Sequence, residues 1–134
     1  MTITMSLEVE EGTSFDTVSL ALLKMGADYS VDEKYLTGNF NCSNCYFVFR
    51  YIIPHDAVAT EGVEAGWKVG VRGAFHSPIK SLSESWNDIK IFLAEFSIGT
   101  KLRFVLSFQY ESVYVIRDEY GVKFLKNMVD DVWS

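Results

Sequence analysis

The sequence predicts a single α+β domain over residues 1–134, with a largely antiparallel, curved β-sheet packed against two α-helices. Several short segments alternate apolar with polar residues, as half-buried strands do. Two other segments repeat apolar residues at helical spacing. Most connections are too short for the crossovers that parallel strands need. With 134 residues, 49% of them hydrophobic, the chain can bury a core of its own.

The first half of the chain predicts one strand, one helix and a pair of strands. Residues 2–10 alternate between polar and apolar side chains and predict a half-buried strand. Residues 14–25 repeat apolar side chains at helical spacing. Residues 34–40 and 45–53 have the pattern of two paired strands. The second of these is apolar on both faces apart from Arg50, which predicts a central position in the sheet.

The strongest helix pattern spans residues 81–96. Ser81 and Glu84 have the spacing of a capping box at its start. The apolar side chains of this segment fall on one stripe, which we expect to be buried against the sheet. That stripe consists of Leu82, Trp86, Ile89, Leu93 and Phe96.

The remaining segments predict further strands. An acidic loop, residues 55–66, precedes an alternating segment at 67–75. Residues 101–108 and 113–117 have the pattern of a hairpin. The tail, residues 122–133, fits either a strand or a short helix. The predicted order is β-α-β-β-β-α-β-β followed by this tail, and the economical arrangement places both helices on one sheet.

Charge is distributed unevenly along the chain, whose net charge is −6. Residues 1–66 carry ten acids against three bases, a net −7, whereas residues 67–134 carry eight acids against nine bases. An acidic chain lacks the basic surface that nucleic acid or an anionic membrane attracts. The sign favours a basic protein partner. The alternative is that the charge serves solubility alone.

The N-terminal segment lacks the basic and apolar regions of a signal peptide. No apolar stretch has the length of a membrane span. Both observations predict a cytoplasmic protein.

Cys42 and Cys45 form a CxxC pair, which suits metal or redox chemistry. A zinc site needs four ligands, and the other candidates are His55 and His76, at no standard spacing. A thioredoxin-like pair opens a helix, whereas this pair lies in a predicted turn. We expect two reduced thiols, without a metal or cofactor. The sequence has neither a nucleophile elbow nor a phosphate-binding loop, so we expect no catalytic residue and no enzymatic activity.

Acids and tyrosines are interleaved in the last hairpin, and two more acids end the first strand. Tyrosine beside acid on an exposed edge suits a tight protein interface. The alternative is that the acids are merely solvated and the tyrosines cover the sheet. The candidate partner-binding residues are Glu10, Glu11, Tyr110, Tyr114, Asp118, Glu119 and Tyr120.

Residues 84–96, which read ESWNDIKIFLAEF and precede a strand hairpin, are similar to a Ser-Trp helix common in bacterial immunity proteins. In size, acidity and order of elements, the chain resembles the immunity proteins of toxin systems that include contact-dependent growth inhibition. The resemblance implies a cognate toxin, often a nuclease, which is bound through an acidic, aromatic-containing surface and held inactive. Two alternatives remain open: a small enzyme with an unrecognised active site, and a structural or phage-encoded adaptor protein.

Overall fold

The computed structural model describes residues 1–129, in which eight strands form one antiparallel sheet and two α-helices pack on one of its faces. This arrangement confirms the predicted fold class. The strands are β1 (Thr2–Glu10), β2 (Asp28–Val31), β3 (Tyr35–Asn39), β4 (Tyr46–Ala57), β5 (Lys68–Pro78), β6 (Phe104–Phe108), β7 (Ser112–Asp118) and β8 (Gly121–Phe124), and the helices are α1 (Phe15–Lys24) and α2 (Leu82–Gly99).

The order of strands across the sheet is β2-β3-β4-β5-β1-β6-β7-β8. β1 therefore lies in the interior, paired with β5 on one side and with β6 on the other. The two edge strands, β2 and β8, have four residues each. Such short edges offer little template for pairing with another chain.

The helix α2 is built into the core, as its apolar stripe predicts. Trp86, Ile89, Leu93 and Phe96 are all at least 96% buried. The Phe96 ring meets that of Phe104 on β6, with 6.0 Å between the ring centroids. Burying side chains of this size contributes roughly 1.5–3 kcal/mol each relative to exposure. The contact of α2 with the sheet is therefore a major source of stability.

Two strands differ from the sequence prediction. Residues Asp28–Val31 form β2, although only Tyr29 of this segment packs against the core. The segment has little apolar alternation of its own, so its pattern did not predict a strand. It is a strand because it pairs with β3. β4 also continues to Ala57, past an irregularity between Tyr51 and Asp56, and so includes the start of the predicted acidic loop.

Two further details concern the ends of elements. Residues 122–124 of the ambiguous tail belong to the strand β8, and residues 130–134 lie outside the described part of the chain. The capping box predicted at α2 is wrong. Ser81 precedes the helix, but its hydroxyl donates to the carbonyl oxygen of Ser43 at 3.0 Å instead of capping the helix.

The sheet has an inner face beneath the helices and an outer face opposite them. Leu36, Phe47 and Phe49 are completely buried on the inner face. Because side chains alternate along a strand, their neighbours Tyr46 and Arg50 lie on the outer face. The outer face includes a covered half and a free half.

The covered half of the outer face belongs to β1 and β6 and lies under the loop 58–66. It consists of Ser6, Glu8, Val105 and Ser107, all of them buried. The free half belongs to β3, β4 and β5, and its side chains are exposed or half-buried. It consists of Tyr35, Thr37, Tyr46, Val48, Arg50, Ala74 and His76.

Candidate functional site

Four of the predicted partner-binding residues meet at one end of the sheet. Glu10, Asp118, Glu119 and Tyr120 line an open depression of about 610 Å³. The turn between β7 and β8 brings the last three residues to the end of β1. Lys101, Arg103 and Arg117 line the same depression. Three acids therefore face three bases, and the strongly acidic patch that the sequence predicted is absent from this depression.

Two of the three acids of this depression, Glu10 and Asp118, are held by internal partners. Arg103 donates from Nη2 to Glu10 Oε2 at 2.8 Å and from Nε to Glu10 Oε1 at 3.1 Å. This pairing lowers the pKa of Glu10. The backbone N–H of Tyr120 and the ammonium of Lys123 likewise lower the pKa of Asp118. Both carboxylates stay charged at neutral pH, but their charges are largely balanced on the spot.

The other predicted residues lie elsewhere. Glu11 turns to the far side of β1, where its Oε2 lies 2.9 Å from His55 Nδ1. Tyr110 lies in the turn after β6, at the end of that strand remote from Glu10. Tyr114 is 97% buried, with its ring edge-on to Trp86. The prediction of Tyr114 as an interface anchor is therefore wrong, because its ring is part of the core.

The free half is a candidate site that the sequence reasoning missed. Tyr35 is 45% exposed and Tyr46 is 42% exposed. The Tyr46 ring stacks on His76 at a centroid distance of 5.9 Å, and His76 Nδ1 lies 3.0 Å from the hydroxyl of Thr4. The alternation in β4, with phenylalanine on one side and tyrosine or arginine on the other, could have indicated this exposed surface.

Three polar side chains of the free half lack a partner within the described residues. Among residues 1–129, the guanidinium of Arg50 makes no ion pair, and the hydroxyls of Tyr35 and Tyr46 make no hydrogen bond. Tyrosine and arginine are the residue types most enriched at the energetic centres of protein interfaces. The free half has the composition of such a centre.

Acids lie along the β2 side of the free half. Asp28 is on β2, and Asp32 and Glu33 are in the turn that leads to Tyr35; all three are exposed. The backbone N–H groups of Tyr35 and Lys34 each donate to Asp32 Oδ1 at 2.8 Å, and these bonds lower the pKa of Asp32. We call Asp28, Asp32 and Glu33 the acidic rim. It carries part of the acid excess of residues 1–66.

The covered half differs, because its acid is completely enclosed. Glu8 accepts hydrogen bonds from the backbone N–H groups of Ala59 and Thr60, at 2.9 and 3.1 Å, and from the Thr60 hydroxyl at 2.6 Å. Arg72 adds two more, from Nε at 3.3 Å and Nη2 at 3.1 Å. The carboxylate thus fixes the loop 58–66 on the sheet, and its role is structural.

The two cysteines are free thiols in different environments. Cys42 is exposed, whereas Cys45 is buried, with its Sγ 3.5 Å from the Ser77 hydroxyl. Burial raises the pKa of Cys45 to about 11, which makes it a poor nucleophile at neutral pH. His55 and His76 have the partners described above, so the four conceivable zinc ligands do not converge. Nowhere in residues 1–129 do three metal-ligating side chains cluster.

Comparison of the chain with protein-family models, with curated proteins and with solved structures finds no match. Neither helix within the described residues has the length and apolar character needed to cross a bilayer.

Proposed function

We propose that this protein is an immunity protein, which binds a cognate bacterial toxin more basic than itself and holds it inactive. The observation that carries the proposal is the free half, an open sheet surface on which the hydroxyls of Tyr35 and Tyr46 and the guanidinium of Arg50 have no partner within residues 1–129. Side chains that make no hydrogen bond or ion pair within the described residues are available to make them with a partner. The resemblance of the 84–96 helix to immunity proteins supports the choice of partner.

In this proposal, net charge governs the rate of association and aromatic side chains govern the rate of dissociation. The net charge of −6, with its excess in residues 1–66, attracts a basic partner and speeds association. The aromatic side chains of the free half, which lies beside the acidic rim, then govern dissociation, because they exclude water when covered. The depression at the end of β1 suits this role less well, since its three acids face three bases and both Glu10 and Asp118 are already in ion pairs.

The test is co-expression with the protein encoded by the adjacent gene. If that protein is a toxin, wild-type protein should restore growth and the Tyr35→Ala/Tyr46→Ala double variant should lose most of the protection. Truncating a central interface tyrosine costs about 2 kcal/mol or more of binding free energy. Tyr120→Ala, at a tyrosine that is 83% exposed in the depression, is the matched control and should protect fully.

A neighbour that is not toxic, or that is toxic and not neutralised by wild-type protein, would refute the proposal. Loss of protection by Tyr120→Ala, with protection kept by the double variant, would move the interface to the depression.

A further inference from the structure

Arg50 occupies a distinctive place in the free half. In the register of the sheet, it lies directly opposite Tyr35 on β3 and directly opposite Arg72 on β5. Two cations facing each other across neighbouring strands destabilise a sheet unless something neutralises them. The carboxylates near these two arginines therefore determine which of them is neutralised within the protein.

Only one of the two arginines is neutralised internally. Arg72 contacts the carboxylate of Glu8 at 3.1 Å and that of Asp56 at 3.3 Å, and it also donates to the Ala57 carbonyl oxygen. Both nearby carboxylates are thereby committed to Arg72. Arg50 is exposed and has no acid partner among the described residues. Within residues 1–129, an uncommitted guanidinium thus lies opposite Tyr35 at one end of the free half.

The chemistry of this group selects its counterpart. A guanidinium presents its N–H donors as a planar fork, which matches a carboxylate or a phosphate with two parallel hydrogen bonds. Tyr35, opposite it on β3, supplies an amphipathic ring and a hydroxyl that has no hydrogen-bond partner within residues 1–129. The acidic rim and the net charge of −6 repel a polyanion such as nucleic acid, whereas one carboxylate on a basic protein meets no such barrier.

We propose that Arg50 receives an aspartate or glutamate side chain of the bound toxin, with Tyr35 packing beside the ion pair. This inference rests on the proposed function and assigns the chemistry of its contact: a basic toxin that presents one carboxylate to the free half. The long-range field selects a basic partner, and Arg50 then fixes how that partner is oriented.

The experiment measures the Kd of the adjacent gene's product for four proteins: wild type, Arg50→Glu, Arg50→Lys and Lys34→Glu. The last is a matched control, because Lys34 is an exposed base beside the acidic rim and its reversal changes net charge equally. Arg50→Glu should weaken binding about 30-fold or more, since it leaves the partner's carboxylate facing a like charge. Arg50→Lys should bind with intermediate affinity, and Lys34→Glu should bind at least as tightly as wild type.

The outcomes separate the two proposals. If wild type binds and Arg50→Glu matches Lys34→Glu, the role of Arg50 is refuted and the proposed function stands. If wild type does not bind, both are refuted. A single-stranded oligonucleotide of mixed sequence is the last probe: binding by wild type that Arg50→Glu abolishes would assign the free half to nucleic acid. Equal melting temperatures exclude misfolding, and Arg50→Gln replaces Arg50→Glu if that variant is unstable.

Discussion

The covered half and the free half belong to the same face of the same sheet, yet their polar groups differ in burial and in hydrogen bonding. In the covered half, Glu8 is completely buried and accepts hydrogen bonds from Ala59, Thr60 and Arg72. In the free half, Tyr35 and Arg50 lie in solvent and have no such partner among the described residues. The difference lies in the loop 58–66, which crosses one half only.

This difference separates groups that serve the fold from groups that, in the proposed function, contact a partner. A buried carboxylate costs several kcal/mol to desolvate and is tolerated only with a complete set of donors, so Glu8 specifies where the loop lies. An exposed tyrosine or arginine with no internal contact contributes little to stability. In the proposed function, such a group on an open surface is available to contact the partner.

The largest effect is expected in the covered half. Glu8→Ala should lower the free energy of unfolding by about 3–5 kcal/mol, because it removes the buried one of the two carboxylates that pair with Arg72 and leaves the backbone N–H groups of Ala59 and Thr60 without their acceptor. It should also speed hydrogen exchange at the Ala59 and Thr60 amides. Denaturant unfolding and amide exchange measure the two effects.

Glu64→Ala is the matched control for that variant, because Glu64 is an exposed acid of the same loop with no ion pair in residues 1–129. It should change stability by less than about 0.5 kcal/mol. Equal unfolding midpoints for Glu8→Ala and Glu64→Ala would show that the carboxylate of Glu8 does not hold the loop.

A much smaller effect on stability than that of Glu8→Ala is expected in the free half. Tyr35→Ala and Tyr46→Ala should each change the free energy of unfolding by no more than about 1 kcal/mol, because each ring is more than 40% exposed. Denaturant unfolding of the isolated protein measures this. A loss of 3 kcal/mol or more would make these rings part of the core and remove the argument that they are kept for a partner.

The sequence predicted those parts of the fold that depend on local periodicity. The α2 stripe and the alternation of β1 each carry enough apolar residues to mark a face. The strand β2 could not be predicted in this way, since Asp28–Val31 is a strand only through its ladder with β3. Ser81 shows the same limit, because its hydroxyl bonds to a residue 38 positions away rather than to the helix that follows it.

The candidate site was less predictable, because charge counts ignore pairing in space. Glu10 reads as a free surface acid, but it is bound by Arg103, 93 positions later. Tyr114 reads as an exposed hairpin tyrosine, but Trp86 covers it. β4 was expected to be central, and it is an interior strand. The aromatic side chain of Tyr46 had suggested that β4 is buried on both faces. The outer side of β4, where Tyr46 lies, instead faces solvent.

Tyrosine footprinting of the complex tests the central claim most directly. The isolated protein and its complex with the adjacent gene's product are labelled by hydroxyl radicals, and the modification of each tyrosine is measured by mass spectrometry. Tyr35 and Tyr46 should be strongly protected in the complex, while Tyr110 and Tyr120 should react as they do in the isolated protein. Protection of Tyr120 with unchanged labelling of Tyr35 and Tyr46 would contradict the account, since the partner would then cover the depression and leave the free half in solvent.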